Sequence, residues 1–457
     1  MSHIRLFADF GSTFTKLVAF DTDSAELAGR AQAPSTVETD VTEGLLTAFG
    51  ELRRQAPVTE EDLRAAVACS SAAGGLRMLC IGLVPDYTTE AGRLAALGAG
   101  AKVVGEYSYE LSRFELEEMA ELRPDIILLT GGTDGGNRRV IVHNARMLAE
   151  SALRAHIVVA GNIRAQDEIR ELFRGTDHPV SYTDNVMPTL GKLSLDPVNR
   201  VIRRVFLNHI IEAKGIARAE ATIAGIRMPT PAAVLEAAKL LANGAPGVSC
   251  GMGDLLLVDV GGATTDVYSV CDGRPTNDGV ELTGMEEPYA KRTVEGDLGL
   301  YHNLDTLARI ADDERMLTGA ETARAVASLR ESRSVPTGSD AREQLLFSRL
   351  AVKTAVDRHA GRLITDLTPH GLSIRQRGKD LSKLKTVIGS GGPVAFSPDP
   401  RQVLEGAAAE PDRAHILKPK EPRFYLDSRY ILFAVGLLAG EDPAAAWRIA
   451  EKNLREI

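Results

Sequence analysis

Two stretches of this sequence, residues 4–21 and 255–270, share one arrangement: an apolar strand ends in an aspartate, and a short turn leads into a second strand. In the first stretch the aspartate is Asp9, and Lys16 follows seven positions later. In the second it is Asp259, and Asp266 follows after the same interval. One such hairpin is a common connection between strands. Two copies with equal spacing predict two related domains, each opening with this hairpin.

Both turns are rich in residues that suit phosphate binding. Consecutive backbone N–H groups of a glycine-rich turn form a concave surface for anions, and hydroxyl side chains add donors. Lys16 supplies a positive charge suited to β- and γ-phosphates. The sequence therefore predicts a nucleotide site, and its turn residues are Gly11, Ser12, Thr13, Gly261, Gly262, Thr264 and Thr265.

The aspartates next to these turns predict a metal ion. A carboxylate beside phosphate is repulsive unless a cation lies between them, and Mg²⁺ accepts one or two carboxylates together with phosphate oxygens. We expect Asp9 and Asp259 to hold a hydrated Mg²⁺ across a cleft. Asp266 would then orient or deprotonate an attacking water. A third turn, Gly389, Ser390, Gly391 and Gly392, follows a strand and suits a nucleotide base or sugar.

In this order, Asp9-x-Gly-Ser-Thr, Asp259-x-Gly-Gly-x-Thr-Thr-Asp266 and Gly389-Ser-Gly-Gly resemble the phosphate-1, phosphate-2 and adenosine motifs of one superfamily. That superfamily contains actin, the large heat-shock chaperones and sugar kinases. The resemblance implies an α/β fold with two ribonuclease-H-like domains flanking a cleft for ATP and Mg²⁺. The segments 230–243 and 430–440 would be the two connecting helices. We expect Thr230 to cap the first of them and Gly244 to end it. Small residues of the second should permit their close crossing, namely Ala434, Gly436, Ala439 and Gly440.

The same comparison predicts the domain limits. The first domain would span 1–245, with a β–α insertion at about 105–225 that alternates strands and helices as parallel sheets do. The second would span 246–440, and a C-terminal helix, 441–457, would pack back on the first. The glycine-rich loop 131–137 within the insertion is either a second anion site or a structural turn. The region 303–385 is predicted to be rich in helix.

Several longer stretches resemble the glutamate mutase accessory protein family, called GlmL or MutL. They are residues 70–104, 124–137, 161–169, 258–270 and 292–300. The resemblance implies a partner of adenosylcobalamin-dependent mutases or aminomutases. The implied role is that of a reactivating chaperone, in which ATP binding or hydrolysis drives the release of a damaged corrinoid. It leaves open whether the chain contacts the corrinoid directly.

Composition restricts the partners further. The net charge is −9, which argues against a general surface for nucleic acid or anionic membrane. The sequence has no run of some 18 apolar residues, so we expect no membrane-spanning helix. The N-terminus does not resemble a signal peptide. We therefore expect a cytoplasmic protein. The four cysteines show no metal-binding spacing and are expected to be buried free thiols.

Three alternatives remain at this stage. A small-molecule kinase of the same superfamily would need a base beside the γ-phosphate. An actin-like filament protein would sediment with ATP, although the long insertion is unlike a filament subunit. An iron–sulfur ATPase that activates dehydratases would carry a bound cluster, and Cys250 lacks the glycine-rich context expected after the cluster cysteine.

Overall fold

The computed structural model describes residues 3–11, 13–36, 40–71, 76–213, 222–314, 318–331, 340–368 and 371–457. The chain divides into two compact units. Unit 1 contains Met1–Gly74, Lys214–Thr283 and Tyr289–Ile457. Unit 2 contains Gly75–Ala213 and Gly284–Pro288.

Strands and helices alternate along most of the chain. The strands are β1 Ile4–Phe10, β2 Phe14–Asp21, β3 Glu26–Pro34, β4 Val67–Ser70, β5 Arg77–Gly82, β6 Lys102–Ser108, β7 Ile126–Leu129, β8 His156–Val159, β9 Val180–Tyr182, β10 Gly225–Pro229, β11 Leu255–Val260, β12 Thr265–Val270, β13 Val280–Thr283, β14 Ala290–Glu295, β15 Arg362–Thr368, β16 Gly371–Arg377, β17 Thr386–Ser390, β18 Arg423–Asp427 and β19 Leu454–Glu456. The α-helices are α1 Val41–Leu52, α2 Glu60–Arg64, α3 Glu90–Gly98, α4 Arg113–Glu121, α5 Arg139–Ala149, α6 Gln166–Phe173, α7 Leu195–Ala213, α8 Thr230–Asn243, α9 Leu304–Asp313, α10 Gly319–Glu331, α11 Asp340–His359, α12 Gly392–Ala395, α13 Pro400–Leu404, α14 Leu432–Ala439 and α15 Pro443–Asn453.

Unit 1 contains two sheets with the same topology. The first has the order β3-β2-β1-β4-β10, and the second has the order β14-β12-β11-β17-β18 with β19 added at its edge. In both sheets the first three strands along the chain are antiparallel neighbours. The fourth strand joins the first in parallel, and the fifth joins the fourth in parallel. This repeated ribonuclease-H-like order confirms the predicted α/β fold of the actin-like ATPase type.

Helices α8 and α14 cross closely in a core that they share with both sheets. This buried cluster includes Phe7 of β1, Ala233 of α8, Leu257 of β11 and Val435 of α14. Gly436 of α14 lies directly against α8. A Cβ atom at Gly436 would lie 1.8 Å from the Ala233 carbonyl oxygen, so only glycine permits this crossing.

Gly436→Ala should therefore destabilise unit 1, although alanine normally favours a helix. We expect the free energy of unfolding to fall by about 2 kcal/mol, because the added methyl group overpacks the crossing. Gly440→Ala is the matched control, since its Cβ would lie 4.0 Å from the nearest atom, the Leu437 carbonyl oxygen. Chemical denaturation measures both variants, and equal stabilities would contradict the close crossing.

Unit 2 is built on a sheet in which all neighbouring strands are parallel, with the order β6-β5-β7-β8-β9. It corresponds to the β–α insertion expected at about 105–225. The sheet already includes β5, however, so the inserted structure begins before residue 105. The outer limits of the two predicted nucleotide-binding domains, 1–245 and 246–440, stay a prediction.

Some local expectations were wrong. The region 303–385 is rich in helix as predicted, with α9, α10 and α11, but β15 and β16 form an unpredicted hairpin there that joins β13 in a separate sheet. The C-terminal segment 441–457 is helical only to Asn453, and β19 then pairs with β18 of the second sheet. Helix α15 itself packs against α8, α14 and β3. Cys250 is exposed, whereas Cys69, Cys80 and Cys271 are buried.

Candidate functional site

The equal spacing of the two hairpins corresponds to equal register. Asp9 lies directly opposite Lys16 in the β1–β2 pair. Asp259 lies directly opposite Asp266 in the β11–β12 pair. In both hairpins, one residue pair therefore lies between the aspartate and the turn. The first hairpin pairs an acid with a base, and the second pairs two acids.

Both turns close in the same way and need glycine at the same place. The Gly11 N–H donates to the Phe14 carbonyl oxygen at 3.1 Å, and the Gly261 N–H donates to that of Thr264 at 2.8 Å. A Cβ atom would lie 2.7 Å from the acceptor oxygen in the first turn and 3.0 Å from it in the second. A larger residue would open either turn.

The second turn presents its N–H groups and hides its carbonyl groups. The carbonyls of Gly261, Gly262 and Ala263 accept hydrogen bonds from residues 300–303. Within the described part of the chain, the N–H groups of Gly262, Ala263 and Thr264 find no acceptor. Three consecutive free donors form a surface that suits the oxygens of a phosphate group.

The first turn is anchored similarly, by one residue. Ser35 donates its hydroxyl to the Gly11 carbonyl at 2.8 Å and its N–H to the Thr13 carbonyl at 2.9 Å. Ser12 lies outside the described residues. The two turns are neighbours, because a Cβ atom at Gly262 would lie 3.7 Å from the Thr13 hydroxyl oxygen. The structure thus brings both predicted phosphate turns to one place.

Asp9 is buried, with 1% of its surface exposed, beneath these turns. Its carboxylate accepts from Lys16 Nζ at 2.8 Å and from the Thr230 hydroxyl at 2.6 Å. Burial alone would lower the pKa of Lys16, but the charge of Asp9 and its hydrogen bond to Lys16 outweigh burial and raise that pKa. Lys16 Nζ also lies 4.1 Å from the centre of the Tyr430 ring. Lys16 is therefore a fixed cation beside the two predicted phosphate turns.

Thr230 was expected to cap α8, but this was wrong. Pro229 occupies the cap position, and Thr230 is the first helical residue. Its hydroxyl serves Asp9 instead. Gly244 follows the last residue of the helix with φ of +78°, as expected for a glycine that ends a helix. Thr230 thus links the first connecting helix to the predicted metal ligand.

Asp259 has an unsatisfied oxygen. Its side chain is half-buried, and Oδ1 has no hydrogen-bond partner among the described residues. Gly391 of the third turn lies against it, since a Cβ there would be 2.6 Å from Oδ1. Burial and the nearby charge of Asp266 raise the pKa of Asp259 to about 7, with Lys16 acting in the opposite direction. An orphaned carboxylate oxygen of this kind fits a missing cation.

Asp266 is held in a buried ion pair. Arg292 lies 2.5 Å from Oδ1 through Nη2, and its Nε donates to the same oxygen at 2.7 Å. Thr264 donates to Oδ2 at 3.1 Å. Both carboxylate oxygens are therefore engaged, which favours a positioning role over proton abstraction.

The third turn is tied to α14. Ser390 pairs with Asp259 across β17 and β11, and its hydroxyl donates to Asp427 at 3.1 Å. Asp427 also accepts from the N–H groups of Ile431 and Leu432, at 3.0 and 3.1 Å. Gly392 is open, with no atom within 4 Å of a Cβ placed there. The turn therefore offers bare backbone on one side and a link to α14 on the other.

Sequence reasoning missed four contributors to this site. They are Thr230, Arg292, Asp427 and Tyr430. Arg292 had a weak signal, because it lies in the stretch 292–300 that resembles the family. Thr265, which was expected to contact phosphate, is fully buried and donates to the Leu298 carbonyl at 2.8 Å. Its predicted role as a phosphate ligand stays untested.

Within the described residues, no group of three or more His, Cys, Asp or Glu side chains is arranged to hold a metal ion. A Mg²⁺ ion bound mainly through water and phosphate needs fewer protein ligands. Asp259 has an oxygen for such a role that accepts no hydrogen bond from the described residues, whereas both oxygens of Asp9 accept hydrogen bonds from Lys16 and Thr230, so its role as a metal ligand stays a prediction. In the same described residues, no helix is both long and apolar enough to cross a membrane.

Comparison with known proteins shows one family. The model of the MutL protein family matches residues 5–454. "Protein MutL" of Clostridium tetanomorphum is 43% identical over 460 residues, which cover 99% of each chain.

Several solved structures match this chain over nearly its full length, but with low TM-scores. The activator of the 2-hydroxyisocaproyl-CoA dehydratase from Clostridium difficile is 10% identical, with a TM-score of 0.32, and the match covers 98% of this chain and 95% of the other. A glycerol dehydratase reactivase is 10% identical, with a TM-score of 0.34, and the match covers 96% and 100%. A xylulose kinase from Bifidobacterium adolescentis is 12% identical, with a TM-score of 0.31, over 100% and 94%. Matches at this level carry no functional argument.

Proposed function

Because this chain belongs to the MutL protein family, we propose that it is an ATP-binding and ATP-hydrolysing accessory protein for an adenosylcobalamin-dependent mutase. The mutase would be glutamate mutase or a related aminomutase. The protein would act in the cytoplasm as a reactivating chaperone that drives the release of inactivated corrinoid. The observation that carries the nucleotide part is the meeting of both glycine turns above Asp9 and Asp259.

Each part of the site has a proposed task. The free N–H groups of residues 262–264 would bind phosphate oxygens, and Lys16 would neutralise their charge. Asp9 and Asp259 would hold Mg²⁺, which supplies positive charge to the phosphates when it is bound. The turn 389–392 would hold the base or sugar. Asp266, fixed by Arg292, would orient the attacking water.

Two hydrogen-bonded links join this site to the connecting helices. Thr230, the first residue of α8, donates to Asp9. Ser390 donates to Asp427, which accepts from the first turn of α14. A change of nucleotide at these turns therefore acts on both helices at their ends. A chaperone that contacts its partner differently in two states needs such a link.

The first test measures ATP turnover by the full chain with and without a mutase holoenzyme whose cobalamin has lost its adenosyl group. We expect the inactivated mutase to raise turnover at least about tenfold and free corrinoid to appear in the filtrate. Asp266→Asn should abolish both effects while ATP still binds. Asp272→Asn, an exposed aspartate beyond β12, is the matched control and should behave as wild type.

The outcomes separate the two parts of the proposal. ATP turnover that ignores the mutase would keep the nucleotide site and reject the accessory role. Sedimentation with ATP, or transfer of phosphate to a small acceptor, would favour a filament protein or a kinase instead. A protein that binds no ATP would reject both parts.

A further inference from the structure

The sheet of unit 2 contains a switch point that the proposed ATP site does not use. Counted along the chain, its five strands lie in the order second, first, third, fourth, fifth. The chain therefore places β6 on one side of β5, and then β7, β8 and β9 on the other side. In doubly wound sheets of this kind, ligands bind outside the carboxyl ends of the strands at that switch point. Here the glycine-rich loop 131–137 comes after β7.

This loop presents free backbone donors. Gly131 and Gly132 have φ values of +139° and +71°. In the part of the chain that the structure describes, the N–H groups of Gly131, Gly132 and Thr133 have no acceptor. The carbonyls of the two glycines are occupied, by the Asn162 N–H at 3.0 Å and the Asn185 side chain at 2.9 Å. Gly131 and Gly132 are buried and Thr133 is half-buried. The loop is thus held from behind, and its unpaired donors suit an anionic group.

Three arginines and several acidic residues lie near the loop, which itself carries Asp134. Arg138 and Arg139 follow the loop, and Arg164 follows β8 at the same edge of the sheet. Arg138 pairs with Glu168 at 2.8 Å, and Arg139 pairs with Glu110 at 2.8 Å. These exposed arginine side chains would attract and orient an anion, but would not enclose it.

The same edge carries apolar side chains in solvent. The exposed large hydrophobic residues of unit 2, among those described, are Tyr109, Phe114, Ile163 and Leu190, which are 59%, 74%, 47% and 64% exposed. All of them follow the carboxyl ends of β6, β8 or β9. Apolar side chains next to a few convergent polar groups are typical of a site for a small organic ligand.

Tyr109 is held in a strained conformation that presents its ring. Its φ is +70°, which is unfavourable for a residue with a side chain. The Gly82 carbonyl accepts from its N–H at 3.2 Å, and its own carbonyl accepts from the buried Asn144 side chain at 2.9 Å. Strain that the surroundings enforce in this way is concentrated at binding sites.

We propose that the carboxyl edge of the unit 2 sheet, at the β5/β7 switch point, is a second ligand site for a compound with a phosphate group and a flat, largely apolar ring system. The N–H groups of residues 131–133 and Arg164 bind the phosphate, and Tyr109 contacts the ring. A corrinoid with its nucleotide tail and a free mononucleotide share this chemistry. The site goes beyond the proposed function, because it requires neither ATP hydrolysis nor a mutase.

Equilibrium dialysis of the full chain tests this site. The protein is first saturated with Mg²⁺ and a non-hydrolysable ATP analogue, so that the site in unit 1 is filled. Cyanocobalamin, FMN and AMP are then the probes, and we expect at least one to bind with a Kd below about 1 mM. Cyanocobalamin binding would identify the corrinoid as the source, and FMN or AMP binding would identify a free mononucleotide. Inorganic phosphate should compete with the probe that binds.

Two variants locate the binding. Tyr109→Gly removes the ring and relieves the backbone strain, so it should keep or raise the thermal midpoint while weakening binding at least about tenfold. Arg164→Glu, at an exposed position, should also keep the thermal midpoint. It should weaken binding at least about tenfold, because a negative charge replaces a positive one. Phe396→Ser, in unit 1, is the control, since it removes a ring that is 41% exposed elsewhere. Binding by none of the three probes, or binding that both unit 2 variants retain, would overturn the proposal.

Discussion

Asp9→Asn should lower the rate of ATP hydrolysis on the order of 10³-fold, because it removes a charged metal ligand at the phosphates. The same change should destabilise unit 1. Lys16 is 8% exposed and pairs with Asp9 at 2.8 Å. Without that partner its charge would be buried and uncompensated, which costs about 3 kcal/mol. Steady-state turnover and chemical denaturation measure the two effects on the same protein.

A double variant separates the two effects. Asp9→Asn/Lys16→Met removes both charges, so it should regain most of the lost stability and none of the hydrolysis. Asp23→Asn is the matched control, because this exposed aspartate lies at the far end of the β2–β3 hairpin. If the stable double variant hydrolysed ATP at the wild-type rate, Asp9 would have no place in the metal site.

Asp259→Asn should abolish hydrolysis and make the nucleotide-free protein more stable. The pKa of Asp259 is raised to about 7 in the fold by burial and by Asp266, whereas an unfolded aspartate titrates near 3.9. Wild-type protein therefore loses stability as the pH rises from about 4 to about 7, because the unfolded state releases its proton first. Asparagine does not titrate. The variant should thus gain stability over wild type across this window, and keep the gain above it.

We expect this gain to reach about 2 kcal/mol at pH 8, a value discounted for the partial exposure of the side chain. Urea denaturation at pH 5 and pH 8, without nucleotide, measures it. Asp272→Asn serves as the control, since this aspartate is exposed and should show no such gain. The same titration predicts that wild-type affinity for Mg²⁺·ATP falls below pH 7, as the metal competes with a proton. A gain that is equal at both pH values would contradict the titration of Asp259.

The local parts of the site could be predicted from the sequence. The alternation of apolar residues, the Gly-rich turns and the seven-residue interval were enough to predict two equivalent hairpins, in which the structure places Asp9 opposite Lys16 and Asp259 opposite Asp266. The reason is geometric: the register of a tight hairpin follows from the turn and the strand period within some 15 residues. The β–α alternation of the insertion was visible for a similar reason.

The partners of those residues were decided by the tertiary structure alone. Thr230 is 221 positions from Asp9, and its hydroxyl could equally have capped its own helix. Arg292 reaches Asp266 only because β14 lies beside β12. The β15–β16 hairpin was missed because its strands carry Arg, Ser and Thr and leave Leu367 and Leu372 exposed, so no buried face marks them.

The amino-acid sequence by itself therefore determined the two hairpins and their turns, because these depend on neighbours along the chain. The tertiary structure decided which charge each buried carboxylate meets. Asp9 meets a lysine and a hydroxyl, Asp266 meets an arginine, and one oxygen of Asp259 meets no donor in the described residues. Such pairings depend on packing between distant segments, since burial makes an unpaired charge costly and only the folded chain determines which groups share a buried space.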